Sequence, residues 1–153
     1  MADTYSQIHL HLIFGVKNRL GIIHPRWKDE LYSYIGGIIN NNGCTPIKIG
    51  GSTDHVHILL GMGVTTHIPE LVKSIKVATN KWINENRLTK GVFEWQNGYA
   101  VFSCSPNRSE ELIRYIDSQE EHHGVTTFRE EYVKFLRSYK VAFSEDFIFH
   151  DLL

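Results

Sequence analysis

Only two cysteines occur in 153 residues, Cys44 and Cys104, and neither has a Cys-x-x-Cys partner. Both lie in strand-like stretches, where a reduced, buried thiol is expected rather than a bridge or a metal ligand. Long apolar runs are missing, and the N-terminus has no basic region leading into an apolar stretch. Neither a membrane span nor a secretory signal is therefore indicated, and a soluble, cytoplasmic protein is expected. Internal repeats, linkers and low-complexity segments are also lacking, which leaves one domain over residues 1–153, a length that can bury a core without staples. Nor is there a surplus of charge: the formal net charge is -1, against the broad basic surface of proteins that coat duplex DNA. The distribution is uneven, with five basic and four acidic side chains in residues 1–60, seven and five in 61–114, and four and eight in 115–153. The first two thirds have room for a modest basic surface.

The hydrophobic pattern predicts a strand over residues 7–14, with His9, His11 and Ile13 on one face and Ile8, Leu10, Leu12 and Phe14 on the other. A helix follows from Trp27 to Asn41, with Leu31, Tyr34, Ile35, Ile38 and Ile39 at core spacings and Asn41-Asn42-Gly43 as its stop. Gly36-Gly37 weakens it intrinsically, and close backbone packing is the expected compensation. Strands are predicted at residues 46–49 and 55–60 around a Gly-Gly-Ser-Thr-Asp turn. Pro69 opens a second helix whose apolar face is Leu71, Val72, Ile75, Val77, Ala78, Trp82 and Ile83. Strand signals recur over 93–105. A helix then begins near Asn107 or Ser109 and runs towards His123, and Thr127 caps a last one from Phe128 to about Ser138. The aromatic tail Phe143 to Phe149 is expected to pack, within the chain or across a subunit boundary. This order is that of an α+β, ferredoxin-like split βαβ unit: an antiparallel sheet with helices on one face, first and third strands central, plus a C-terminal helix bearing Tyr115.

Two stretches carry chemistry. In Asp54-His55-Val56-His57-Ile58-Leu59-Leu60, strand periodicity points both imidazoles the same way, roughly 7 Å apart, while Val56, Ile58 and Leu60 face a core. Such a pair can converge on one divalent cation if further ligands arrive; the bland alternative is a solvated sheet face. His9 and His11 lie on the adjacent central strand, where a structural role is expected for His9. Asp54 is read chiefly as a turn residue, with support of an imidazole as the alternative. In Tyr115-Ile116-Asp117-Ser118-Gln119-Glu120-Glu121-His122-His123, helical spacing sets Tyr115 and Gln119 one turn apart, with His122 and His123 continuing the stripe. A phenol is a poor nucleophile at neutral pH and needs a metal-polarised electrophile or a base. Gln119 can supply a neutral oxygen ligand from the same helix. A zinc triad of His55, His57 and His122 or His123 stays open as another reading, although no glutamate is evidently stationed beside the pair as a hydrolytic base.

Taken in order, several segments resemble the HUH single-tyrosine transposases of small insertion sequences, the IS200-like family. They are His11-Leu12-Ile13-Phe14 with Lys17-Asn18-Arg19, the His55-Val56-His57 strand, Trp95-Gln96-Asn97-Gly98-Tyr99 leading into Phe102-Ser103, the Tyr115 helix, and Thr127-Phe128-Arg129-Glu130-Glu131-Tyr132. The resemblance implies His55 and His57 as metal ligands, Gln119 as the third, Tyr115 as nucleophile, and Mg²⁺ or Mn²⁺ as cofactor. It further implies an ATP-independent enzyme that cleaves and rejoins single-stranded DNA at hairpin-marked element ends through a 5′-phosphotyrosine, working as a homodimer whose sites can be composite. Lys73, Lys76, Lys81, Arg108 and Arg114 are candidate phosphate contacts, a role that solvation rivals at each position. Trp95 and Tyr99 are read as packing residues before base-stacking ones. The chain departs from the family in charge, being less basic than several members, so its acidic last third is expected to face away from DNA or towards a partner. The alternatives are a related nicking enzyme for repeated hairpins and a catalytically inactive hairpin-binding module.

Overall fold

Alternation along two central strands organises the molecule. The computed structural model describes residues 4–17, 23–119 and 127–144. In chain order they form β1 (His9–Gly15), α1 (Pro25–Asn41), β2 (Thr45–Gly51), β3 (His55–Gly61), α2 (Ile68–Glu85), β4 (Ala100–Cys104), a 3₁₀ turn (Pro106–Arg108), α3 (Ser109–Asp117) and α4 (Phe128–Ser138). The strands make one sheet in the order β2-β3-β1-β4, every neighbouring pair antiparallel. This is the split βαβ arrangement, with β1 and β3 at its centre.

On one face Leu10, Leu12 and Phe14 stand opposite Leu60, Ile58 and Val56. Above them pack Trp27, Leu31, Ile35 and Ile39 of α1 and Leu71, Val72, Ile75 and Ile83 of α2. Burying each of these large side chains fully is worth about 1.5–3 kcal/mol, which explains why α1 forms despite its glycine pair. Close packing does not compensate for that pair. A Cβ at Gly36 would meet only ordinary contacts, and one at Gly37 would face open space. The start of α1 is fixed instead by Pro25 in its first turn and by His24 Nδ1, which accepts from the Arg26 amide at 3.0 Å.

Three details differ from the sequence reading. Tyr34 is 41% exposed and stacks on Trp82, and Val77 is 59% exposed. The interior position on α2 goes to Thr79, whose hydroxyl donates to the Ile75 carbonyl at 2.6 Å and accepts from Trp95 Nε1 at 2.8 Å. The strand expected over 93–105 is confined to 100–104. Before it, Phe93 and Trp95 turn their rings into the core, Trp95 edge-on to Phe14. Lys76 pins this loop by donating to the carbonyls of Gln96 and Gly98, each at 2.7 Å.

The histidine face is not left open. Helices α3 and α4 lie across it, and Phe128, Tyr132 and Leu136 of α4 form a second apolar cluster with Ile13, Ala100 and Phe102. Two glycines permit the approach. A Cβ at Gly50 would sit 2.5 Å from Ile116 Cγ2 on the α3 side, and one at Gly15 would sit 2.5 Å from the Phe128 ring of α4. Among the described residues no helix is long and apolar enough to cross a membrane. Most of the aromatic tail lies outside them; of its described part, Phe143 sits beneath the Arg137 guanidinium.

Candidate active site

The alternation of β3 delivers His55 and His57 to the α3–α4 side, where both are fully buried. β1 brings His11 beside them: its Nε2 lies 2.8 Å from His57 Nδ1, and the two rings stack. His9 reaches Ser109 Oγ at 3.1 Å and so ties the start of α3 to the sheet, the structural role expected of it. Asp54 stands on the flank of the pair, its Oδ1 2.7 Å from His55 Nδ1, so it supports an imidazole as well as ending the turn.

From above, α3 presents Tyr115, half-buried and edge-on to His57. The helix ends at Asp117, with Ser118 as its C-cap, rather than running on unbroken. Tyr115 and Gln119 nevertheless meet at one acceptor. The Tyr115 hydroxyl donates to Glu131 Oε2, and Gln119 Nε2 donates to the same oxygen at 3.0 Å. The other carboxylate oxygen, Glu131 Oε1, lies 2.8 Å from His57 Nε2 and 3.4 Å from His55 Nε2. Gln119 Oε1 is 3.0 Å from His55 Nε2.

Glu131, which sequence reasoning quoted within Thr127–Tyr132 but gave no role, completes the cluster, and the expectation that no glutamate stands beside the histidine pair is corrected by its position. A signal existed. Phe128, Tyr132 and Leu136 define the buried side of α4, and Glu131 shares that side with only 4% exposure. A carboxylate there needs partners, because an unpaired buried charge is strongly disfavoured. His122 and His123 lie outside the described residues.

The hydrogen-bond pattern says what the cluster lacks. With Asp54 accepting from Nδ1 of His55, the lone pair of Nε2 faces Gln119 Oε1 and Glu131 Oε1, so three acceptors converge without a donor between them. A proton or a cation is needed there. In the metal-free chain the proton serves: burial opposes charge on His55, but the hydrogen bonds it donates to the Asp54 and Glu131 carboxylates outweigh it and raise its pKa to about 9. Burial, helped by the neighbouring His57, holds His11 well below the usual imidazole range. Burial and the Glu131 acceptor raise the Tyr115 phenol above its ordinary value, which keeps it a hydrogen-bond donor at neutral pH. One ligand atom from each of His55, His57 and Glu131 falls within 4.8 Å of the others, and Gln119 Oε1 adjoins them. Two nitrogens and two oxygens converging in this way are a donor set that suits a divalent cation.

The predicted phosphate contacts are not gathered at this cluster. Lys73 and Lys76 lie on α2, beyond the opposite face of the sheet, and the Lys76 ammonium is occupied by loop carbonyls; burial lowers its pKa to about 8. Arg108 and Arg114 are exposed at the start and on the outside of α3. Trp95 is a core residue, and Tyr99 packs against the same core.

With this geometry in place, comparison with known proteins gives a consistent outcome. The ISDra2 transposase TnpA of Deinococcus radiodurans is 29% identical over 118 residues, 74% of this chain and 84% of that protein. A crystal structure of a protein from D. radiodurans R1, assigned as a transposase, superposes with a TM-score of 0.62 at 25% identity, covering 78% of this chain and 96% of the other. A REP-associated tyrosine transposase bound to a REP hairpin shares the fold, with a TM-score of 0.60 at 12% identity over 82% of this chain and 74% of its own. The profile of IS200-like transposases matches residues 4–119, from before β1 through Gln119. The sheet, the histidine pair and the tyrosine helix all fall inside that stretch, and the chain belongs to the IS200-like family of single-tyrosine transposases.

Proposed function

We propose that this chain cuts and rejoins single-stranded DNA at hairpin-marked ends, with Tyr115 as nucleophile and a divalent ion held by His55, His57 and Gln119, with Glu131 alongside. The observation that carries this reading is the shared carboxylate: the phenol and the converging acceptors of the histidine pair meet at Glu131, a few ångströms from one another. Bound Mg²⁺ or Mn²⁺ would supply electrostatic stabilisation of charge developing on the scissile phosphate. The chain's own residues do the rest. Asp54, accepting from Nδ1, turns the Nε2 of His55 towards the ligand cluster. His57 can donate from Nδ1 to His11 Nε2, which leaves its own Nε2 lone pair for the same cluster. Tyr115 attacks phosphorus, an O–P bond to the tyrosine forms, and the bond to the 3′ oxygen breaks, leaving a 5′-phosphotyrosine and a free 3′-OH. The bond energy is kept in the adduct, so a second 3′-OH reverses the step and joins new ends without a nucleotide cofactor.

The fold shared with a hairpin-bound transposase supports hairpin DNA as substrate. Arg108 and Arg114, exposed on the outside of α3, are proposed to contact phosphates, and Lys73 and Lys76 to meet DNA that wraps to the α2 side. A homodimer follows from the family resemblance. In this chain α3 lies over its own histidines, which supports a site completed within one subunit; the family resemblance supports a composite site as the alternative.

The test uses labelled single-stranded DNA carrying the hairpin that flanks the coding sequence, with Mn²⁺ or Mg²⁺. The wild-type chain is expected to give an adduct that survives denaturation, and Tyr115→Phe none while still binding the hairpin. An adduct unchanged in Tyr115→Phe rejects the nucleophile. Mixing Tyr115→Phe with His57→Ala subunits then reads the arrangement: no recovery means each tyrosine serves its own histidines, and recovered cleavage means the sites are composite.

A further inference from the structure

We infer that Glu131 is a positioning residue that sets the orientation of both Gln119 and Tyr115 about the metal position. The inference rests on the phosphotyrosine reading above and concerns a residue beyond the family-matched stretch, which ends at Gln119, whereas α4 begins at Phe128.

The geometry is specific. A carboxamide has two ends that differ only in hydrogen-bonding sense, and either can turn towards a ligand site. Gln119 donates from Nε2 to Glu131 Oε2, and this bond leaves Oε1 facing His55 Nε2. That orientation puts inward the end that can ligate, since a carboxamide presenting N–H₂ to the cation position cannot. The same Oε2 accepts from Tyr115, so the phenol oxygen is held at the edge of the ligand cluster rather than swinging with its ring. Oε1 meanwhile faces both imidazole Nε2 atoms. One carboxylate thus registers the nucleophile against the ligands, and α4 must be docked for the site to be complete. Docking is secured on either side of Glu131 by Phe128, stacked on His55 with ring centroids 4.2 Å apart, and by Tyr132 and Leu136 in the second apolar cluster.

The experiment compares the wild-type chain, Glu131→Gln and Glu130→Gln, the last removing the same charge from the exposed neighbouring position. Three quantities are measured: Mn²⁺ affinity, by electron paramagnetic resonance of the free ion; hairpin affinity; and the single-turnover rate of adduct formation at saturating DNA. Glu131→Gln is isosteric, and a cooperative thermal melt is the check that it folds. The expected result is a loss of roughly 10- to 100-fold in Mn²⁺ affinity and a similar or larger loss in adduct rate. Hairpin affinity should stay within about twofold, a small split on a scale where tenfold is 1.4 kcal/mol, and Glu130→Gln should behave as wild type. Glu131→Gln with wild-type Mn²⁺ affinity and adduct rate overturns the inference and leaves the phosphotyrosine reading standing. Equal losses in Glu130→Gln overturn it too, since net charge would then be the cause. If the wild-type chain forms no adduct, the proposed function fails, and the Mn²⁺ titration still decides whether Glu131 organises the ligands. If Glu131→Gln does not fold, Glu131→Asp is substituted; it keeps the charge but shortens the reach, and wild-type values in all three measurements would overturn the inference.

Discussion

Along β3, Val56, Ile58 and Leu60 point to α1 and α2, while His55 and His57, each one peptide away, point to α3 and α4. Both faces are buried, but for different reasons. The apolar face gains stability from every side chain it removes from water. The histidine face buries imidazoles, a phenol, a carboxamide and a carboxylate, whose desolvation is offset only by pairing among themselves, an arrangement of little net value to stability. Groups so perturbed and so convergent indicate chemistry. The same alternation therefore separates the face that holds the protein together from the candidate site.

The sharpest way to break this contrast is to mutate adjacent residues of the one strand. His57→Ala is expected to lower adduct formation on the order of a thousandfold, the several kcal/mol that a bound cation contributes, and to abolish saturable Mn²⁺ binding. Ile58→Ala should instead remove about 2–5 kcal/mol of folding stability by leaving a cavity, with Mn²⁺ binding retained well below the melting temperature. A chemical-denaturation curve and a metal titration on each variant decide the matter; if the two variants lose the same properties, the division between faces is wrong.

Gly50→Ala probes the boundary between them. The added Cβ would press on Ile116, the residue after Tyr115, and about 1–3 kcal/mol of overpacking strain is expected. Adduct rate should fall along with stability, whereas a substitution of Gly37, which faces open space, should leave the rate unchanged.

The smallest effect is in pH dependence. His55 has a folded pKa raised to about 9, so the stability it contributes to the metal-free chain is complete below about 6.5 and declines as pH rises towards 9. His11 has a lowered folded pKa, so the unfolded chain binds more protons below about 6.5 and stability declines as pH falls through that range. Between pH 5 and 8 the urea midpoint should therefore pass through a maximum near pH 6.5. Mn²⁺, which competes with the proton on His55, should flatten the alkaline side; a midpoint indifferent to Mn²⁺ at pH 8 would count against metal binding there.

Much of this was legible beforehand. Period-two alternation is strong in β1 and β3, so the sheet centre, the core face and the shared direction of His55 and His57 could be read directly. Tyr115 and Gln119 were legible from helical spacing, although the helix stops between them. Glu131 was not, because its role depends on partners 74 residues away in sequence and an acidic residue on a short helix ordinarily reads as solvated. The covering of the histidine face by α3 and α4 escaped for a related reason: it turns on the absence of a Cβ at Gly15 and Gly50, which in sequence look like turn or strand-end glycines. Val77 and Thr79 exchanged places because a threonine can satisfy its hydroxyl within its own helix and so enter a core.

The two imidazoles ride on a strand that is hydrogen-bonded along both edges, to β2 and to β1. A strand laced in this way can neither slide nor tilt without breaking ladders on two sides, so it serves as a fixed floor. Tyr115 and Glu131 hang from a roof of two short helices, with Gln119 just past the end of the first, resting on a few aromatic rings. A substrate that reached the buried imidazoles would have to displace that roof rather than the floor.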